Sequence, residues 1–283
     1  MSGENGATLT LGDYHKLALE AELIHTVYHD RKVAWHRWGR GESLLLLHGG
    51  SGSWTHWVRN IRSLARGFTV LVPDLPGMGS SDDTDGVGVM ATTDAILDGL
   101  EALVPRGSCL GVVGFSFGCI VAGQLCKRMP EKTKQLILTG ATGIGTGSIG
   151  TMEPLIRWRN LAPAEAMTAH RTNLSRLMFH DPKRIDDLAV ELQSQNAGRA
   201  RFPTRSFAAT KILSDALRDA PFEVAGIWGE FDVLSKEHLD GQISALRRLV
   251  PSASIHVIPD AGHWVQYEQA EAFNSLLAEI LEH

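Results

Sequence analysis

The sequence predicts an α/β domain built on a mostly parallel sheet, with helices on both faces and a helical insertion near its middle. Three observations carry this expectation. Eight short apolar runs read as strands, and several are unbroken (LLLL, VLV, LGVVG, LIL), as strands buried on both faces should be. Amphipathic helical patterns separate the later runs, and strand–helix alternation requires right-handed crossovers between parallel strands. One stretch of about 70 residues then contains no strand pattern, only short helical ones.

In chain order, residues 1–20 are rich in Gly, Asn and Thr and are expected to form a loose arm. Strands are expected at 24–28, 33–38, 43–48, 68–73, 109–115, 135–139, 224–228 and 254–258. Helices are expected at 54–65, 91–103, 117–129, 236–249 and 265–281. After the strand at 135–139 comes GATGIGTGSIG, followed by helical segments punctuated by Pro163, Pro182 and Pro203. Residues 146–218 are therefore expected to form a cap over one end of the sheet, with 21–145 and 219–283 as the core.

The 283 residues carry 27 Lys and Arg against 32 Asp and Glu, a net charge of −5. That balance argues against a broad nucleic-acid surface, which needs clustered excess base. Three cysteines without a C-x-x-C pair suit reduced thiols better than a disulfide framework. No apolar run approaches the roughly 20 residues needed to span a bilayer, and the N-terminus lacks a signal-peptide pattern. A cytoplasmic protein acting on a small molecule, without nucleic-acid or membrane partners, is the resulting expectation; a homo-oligomer is compatible with it.

The sharpest chemical signal is Gly114-Phe115-Ser116-Phe117-Gly118, a G-x-S-x-G run between a strand and a helix. Glycines allow the tight strand-to-helix turn, and the turn exposes Ser116 at the helix N-terminus as a nucleophile. A serine nucleophile needs a base, and the base needs an orienting acid. His263, in Asp260-Ala261-Gly262-His263-Trp264, follows the last strand; Asp232, in Trp228-Gly229-Glu230-Phe231-Asp232, follows the one before it. All three sit at C-terminal strand ends, where open parallel sheets place their sites. Glu230 is the competing acid, and Asp232 is preferred because it lies further past the strand.

With these residues in place, the chain resembles the α/β-hydrolase family over nearly all of its length after residue 25. The loop His48-Gly49-Gly50-Ser51-Gly52-Ser53 resembles that family's oxyanion loop. The resemblance implies oxyanion-hole amides at Gly50 and Phe117, a bracing role for His48, and no cofactor or metal. Leu71-Val72-Pro73-Asp74-Leu75-Pro76-Gly77 resembles the family's turn after the fourth strand. Within the family, the run GHWVQYEQAEAFNSLLAEIL, Trp54 and Arg59-Asn60 look like those of meta-cleavage-product hydrolases, which break C–C bonds in aromatic ring-cleavage products. That likeness implies substrate contacts from Ser51 and Trp264. The chain departs from that group at Phe115 and His56, where it usually has asparagine, and its oxyanion loop is shorter.

Other patterns compete less well. Gly145-Thr146-Gly147-Ser148-Ile149-Gly150 fits G-x-G-x-x-G, but Pro154 follows too soon for a dinucleotide-binding helix, so it reads as a hinge into the cap. No H-E-x-x-H or Cys/His cluster suggests a metal site. Cys119 reads as a helix-packing residue. Residues 146–218 carry eleven Lys and Arg but seven Asp and Glu, leaving the remainder at −9. A basic lid over an acidic protein suits a carboxylate-bearing substrate, and Arg199 or Arg201 is the expected anchor. The sequence thus implies a serine hydrolase, for a C–C bond or for an ester or lactone. The rival from another class is a non-catalytic receptor on the same scaffold.

Overall fold

In the computed structural model, the structure describes residues 9–84, 88–142, 144, 153–235 and 239–282. The G-x-G-x-x-G run at 145–150 lies outside them. The order of elements is α1 (Leu11–Glu20), β1 (Glu22–Tyr28), β2 (Arg31–Trp38), β3 (Glu42–Leu47), α2 (Ile61–Leu64), β4 (Phe68–Pro73) and α3 (Val89–Leu103). Next come β5 (Leu110–Phe115), α4 (Phe117–Arg128), β6 (Thr133–Thr139), α5 (Pro163–Leu177), α6 (Asp187–Arg199) and α7 (Ile212–Leu217). The chain closes with β7 (Glu223–Gly229), α8 (Leu239–Leu249), β8 (Ser254–Ile258), α9 (Val265–Glu268) and α10 (Ala270–Glu282).

The eight strands form one sheet in the order β1-β2-β4-β3-β5-β6-β7-β8. β1 pairs antiparallel with β2, and β2 antiparallel with β4; every other pairing is parallel. Alternation along the strands sends successive side chains to two separate cores. Leu44, Leu46, Val113, Phe115 and Ile137 join α1, α2 and α10 on one face. Leu45, Leu47, Val112, Leu136 and Leu138 join α3, α4 and α8 on the other. Both faces of the central strands are dry, which accounts for the unbroken apolar runs.

The expected loose arm needs correction. Residues 11–20 form α1, started by a reciprocal capping box in which Thr10 Oγ1 accepts from the Asp13 amide and Asp13 accepts from the Thr10 amide. Leu17 is fully buried, and its carbonyl accepts the Trp38 indole N–H at 2.9 Å. Two expected helices are also divided. The stretch 54–65 opens with a 3-10 turn at Trp54–Trp57 and resumes as α2 after Asn60, whose backbone N–H closes the turn on Trp57 O while its side-chain NH₂ donates to Gln266 O and Asn274 Oδ1. The stretch 265–281 breaks at Gln269 (φ −122°, ψ 50°), between α9 and α10.

Helices α5, α6 and α7 all lie between β6 and β7, where the strand pattern was missing. Pro163 occupies the first turn of α5, and Asp186 caps α6 by accepting from the Ala189 amide at 2.8 Å. Arg59 ties this insertion to the core through an ion pair with Asp186 and a 3.0 Å bond to Tyr267 O. Among the described residues, no helix is long and apolar enough to cross a membrane.

Candidate functional site

Ser116 stands between the end of β5 and the start of α4 with φ 51° and ψ −115°, a backbone state that costs a serine on the order of 1–3 kcal/mol. Two bonds hold it there: the Ser116 amide donates to Thr139 O, and its carbonyl accepts from the Cys119 amide, each at 2.9 Å. The flanking glycines are steric requirements. A Cβ on Gly114 would lie 2.7 Å from the Cys119 backbone, and one on Gly118 would lie 2.3 Å from Leu47 O.

His263 follows β8 in a loop that is pinned on several sides. The Gly262 amide donates to Glu268 Oε2 at 2.7 Å, and the Trp264 amide donates to Met178 O at 2.8 Å. Glu268, itself buried, also accepts from the amides of His180 and Asp181 in the insertion. One carboxylate thereby joins the end of α5 to the His263 loop. Gly140 lies under the imidazole, where an added Cβ would sit 3.2 Å from the ring.

The relay is continuous. His263 Nε2 lies 2.9 Å from Ser116 Oγ, and His263 Nδ1 lies 2.8 Å from Asp232 Oδ2. Asp232 is fully buried, and its other oxygen accepts the Leu234 amide at 2.9 Å. An ionised carboxylate only accepts, so Nδ1 carries the proton and Nε2 presents its lone pair to the serine. Glu230 is exposed and accepts the Asp260 amide instead.

These groups floor a cavity of about 190 Å³. Gly50, Ser51, Phe115 and Phe117 line it beside Ser116 and His263, and Leu177 and Met178 form an apolar wall. Phe117 is the first residue of α4, where a helix leaves its amide without an intrahelical partner. Polar side chains enter from the insertion: Gln193, Thr204 and Arg205. Thr204 sits so close to Gly50 that a Cβ there would meet its hydroxyl at 2.0 Å, so any side chain at 50 would have to displace Thr204.

Three expected substrate contacts need correction. Trp264 is buried behind the cavity; its indole N–H donates to His56 O at 2.9 Å and its ring packs on Phe179 and Tyr267. Arg201, exposed, ties the insertion to the loop after β4, pairing with Asp83 at 2.7 Å and donating to Ser81 O and to Arg199 O, and does not line the cavity. Arg199, exposed at the end of α6, is likewise absent from the cavity wall, and Arg205 is the arginine found there. Helix periodicity cannot show which end of the insertion faces inward, and charge density alone points to arginines that do not line the cavity. Glu268 and Thr204 carried no usable sequence signal, since their partners come from distant segments.

The surrounding histidines are held neutral. Burial pushes His48 below the ordinary histidine range, against the opposing charge of Asp74. His56 is pushed further down, by burial and then by the neighbouring His48 and His263. Burial raises the Cys119 thiol far above its ordinary value, and its Sγ contacts Gly114 O and Thr139 O, consistent with a packing role. Among the described residues no cluster of His, Cys, Asp and Glu could hold a metal ion.

Comparison with known proteins agrees with this architecture. Residues 44–276 match the alpha/beta hydrolase family. The chain is 30% identical to a 2-hydroxy-6-oxo-6-phenylhexa-2,4-dienoate hydrolase of Burkholderia cepacia, over 86% of this chain and 88% of that protein. It is 28% identical to a 2-hydroxy-6-oxononadienedioate/2-hydroxy-6-oxononatrienedioate hydrolase of Comamonas testosteroni, with the same coverage. Among solved structures, a meta-cleavage product hydrolase from Pseudomonas fluorescens IP01 superposes with a TM-score of 0.73 at 24% identity, covering 93% of this chain and 98% of that one. A carboxylesterase from Bacillus subtilis gives 0.74 at 18% identity, covering 95% of each. At these identities the two structures speak for the fold alone. With the family match spanning most of the sequence and the strand order, the tight turn at Ser116 (the nucleophile elbow) and the relay all in place, the chain belongs to the alpha/beta hydrolase family.

Proposed function

We propose that the protein is a serine hydrolase in which Ser116, His263 and Asp232 form the catalytic triad, acting on a small carboxylate-bearing substrate. The observation that carries the reading is the unbroken Ser116–His263–Asp232 relay at the floor of a largely apolar cavity. His263 Nε2 takes the Ser116 proton as Oγ attacks the substrate carbonyl, and Asp232 stabilises the imidazolium. The oxyanion is received by the amides of Gly50 and Phe117. The leaving group departs with the proton from His263, and water, deprotonated by the same imidazole, releases the acid from the acyl-enzyme. Residues 146–218 act as the cap, and Arg205 offers a cation to the substrate carboxylate.

The names of the relatives support a ring-cleavage dienoate as substrate. In such a molecule the 2-hydroxydienoate first ketonises, so that breaking the bond next to the 6-oxo carbon expels a carbanion stabilised by conjugation. The apolar Phe115 in the cavity wall, at a position where meta-cleavage-product hydrolases usually carry asparagine, favours a second reading as an ester or lactone hydrolase. Turnover of 2-hydroxy-6-oxo-6-phenylhexa-2,4-dienoate and of p-nitrophenyl butyrate separates the two, with Ser116→Ala as control. A kcat/KM favouring the dienoate supports C–C cleavage, and the reverse supports the ester reading. Turnover of neither, with no labelling of Ser116 by a fluorophosphonate, would favour the receptor.

A further inference from the structure

Both backbone groups of Gly49 are held by imidazoles. Its carbonyl lies 2.8 Å from His48 Nδ1, and its amide donates to His56 Nδ1 at 3.2 Å. The tautomers follow from the partners. The Leu75 amide donates to His48 Nε2 at 2.8 Å, so His48 carries its proton on Nδ1 and donates to Gly49 O. His56 accepts on Nδ1 and therefore carries its proton on Nε2. The Gly49 carbonyl and the Gly50 amide belong to one planar trans peptide and point in opposite directions. Drawing the carbonyl toward His48 turns the Gly50 N–H to the other side of that plane, and donation to the carbonyl further polarises the amide.

His56 is in turn fixed at several points. Its amide donates to Ser53 O at 3.1 Å, and its carbonyl accepts the indole N–H of Trp264, the neighbour of His263. Its ring meets Phe115 and Trp264 edge-on, with centroids 5.4 Å and 5.1 Å away. A Cβ on Gly52 would lie 2.3 Å from the same ring, so the loop is folded tightly around it. The imidazole is 1% exposed, and His56 does not line the cavity.

We infer that His56 is a positioning residue for the oxyanion loop: with His48 it clamps Gly49 from both sides and so aims the Gly50 amide at the substrate oxygen. The inference rests on the serine-hydrolase reading above. It also assigns Trp264 its purpose, as the strut that carries the position of the His263 loop to the oxyanion loop through His56. Removing the clamp costs transition-state stabilisation rather than substrate affinity, because the oxyanion exists only along the reaction path.

The test compares His56→Leu, which keeps bulk but cannot accept, with His56→Asn, whose side-chain oxygen can take the Gly49 amide. In His56→Leu, kcat for a p-nitrophenyl ester should fall roughly tenfold to a hundredfold, approaching the loss of a whole oxyanion donor, while KM stays within about threefold. The affinity for phenylboronic acid, whose serine adduct presents a tetrahedral oxygen to the same amides, should fall in parallel. His56→Asn should recover most of both losses. An unchanged kcat in His56→Leu, or equal losses in both variants with unchanged boronate affinity, would overturn the inference. Should His56→Leu not fold, nitrogen NMR of the wild-type protein decides: the clamp requires His56 protonated at Nε2 and His48 at Nδ1, and the opposite tautomer on either ring refutes it. Failure of the underlying reading looks different, since the wild type would then show neither turnover nor Ser116 labelling.

Discussion

Asp232→Asn is the substitution whose consequence can be followed atom by atom. Asp232 spends one oxygen on the Leu234 amide at 2.9 Å and the other on His263 Nδ1 at 2.8 Å. An asparagine must keep its carbonyl toward the Leu234 N–H, because the flipped amide would set two donors face to face, leaving both unsatisfied at a cost of about 1–3 kcal/mol each. Its NH₂ group then meets His263 Nδ1 and donates to it. The imidazole proton is forced to Nε2, where it faces Ser116 Oγ, and the ring can no longer accept the serine proton. Loss of the correct tautomer together with the carboxylate charge should lower kcat by about 10⁴, equivalent to about 5.5 kcal/mol of transition-state stabilisation. The assay is steady-state hydrolysis of a p-nitrophenyl ester, accompanied by the rate of fluorophosphonate labelling, which should slow comparably while KM changes little. A loss smaller than about tenfold, or a larger loss in Glu230→Gln, would refute the assignment of the acid.

Three further outcomes follow from the same geometry. Gly118→Ala would drive a Cβ to 2.3 Å from Leu47 O and 2.7 Å from His48 O, backbone atoms that cannot step aside; urea denaturation should show a loss of about 3 kcal/mol, and an unchanged midpoint would show that the elbow can relax. Burial holds His48 and His56 below the ordinary histidine range, so the unfolded chain takes up protons that the folded one refuses. Their contribution to stability is complete above about pH 6.5 and is lost as the pH falls below it, by up to about 1.4 kcal/mol per pH unit for each; a urea midpoint that does not fall between about pH 7.5 and pH 5 would contradict this. Arg205→Ala should raise KM for a carboxylate substrate roughly tenfold and leave its methyl ester nearly unaffected, whereas Arg201→Ala, at a residue that does not line the cavity, should leave both within about twofold; the reverse ranking in steady-state assays would return the anchor to Arg201.

What the sequence disclosed depended on how local the determining interactions are. Strands buried on both faces leave a contiguous apolar signature, as at 68–73, which coincides with β4; 254–258 coincides with β8, an edge strand that is largely unburied. Ser116, Asp232 and His263 were legible because each follows a recognisable strand, and the C-terminal ends of parallel strands share one edge. The start of α1 was also written locally, in Thr10-Leu11-Gly12-Asp13, but the small and polar residues before it obscured the capping box. The inward face of the insertion was not legible. Arg201 and Arg205 are four residues apart in similar surroundings, and only the docking of the chain onto Gly77 and Gly50 decides which of them meets the cavity. Glu268 collects its donors from residues 6 to 88 positions away, a pattern with no periodicity to read.

The position of the insertion, between two strands that lie side by side, bears on how the enzyme acquires activity. Ser116 and His263 are 147 residues apart in sequence, and they meet only after β6 has paired with β7 and β7 with β8. The chain between β6 and β7 must close a long loop before that pairing returns any energy, so the sheet edge bearing the acid and the base is slow to form. Because loop-closure cost grows only as the logarithm of length, by about 0.6 kcal/mol per doubling, lengthening or rebuilding this segment burdens folding little. The segment between β6 and β7, which supplies Gln193, Thr204 and Arg205 to the cavity wall, can therefore change while the relay stays fixed, and recovered hydrolysis during refolding is expected to mark the arrival of the last strands rather than the first.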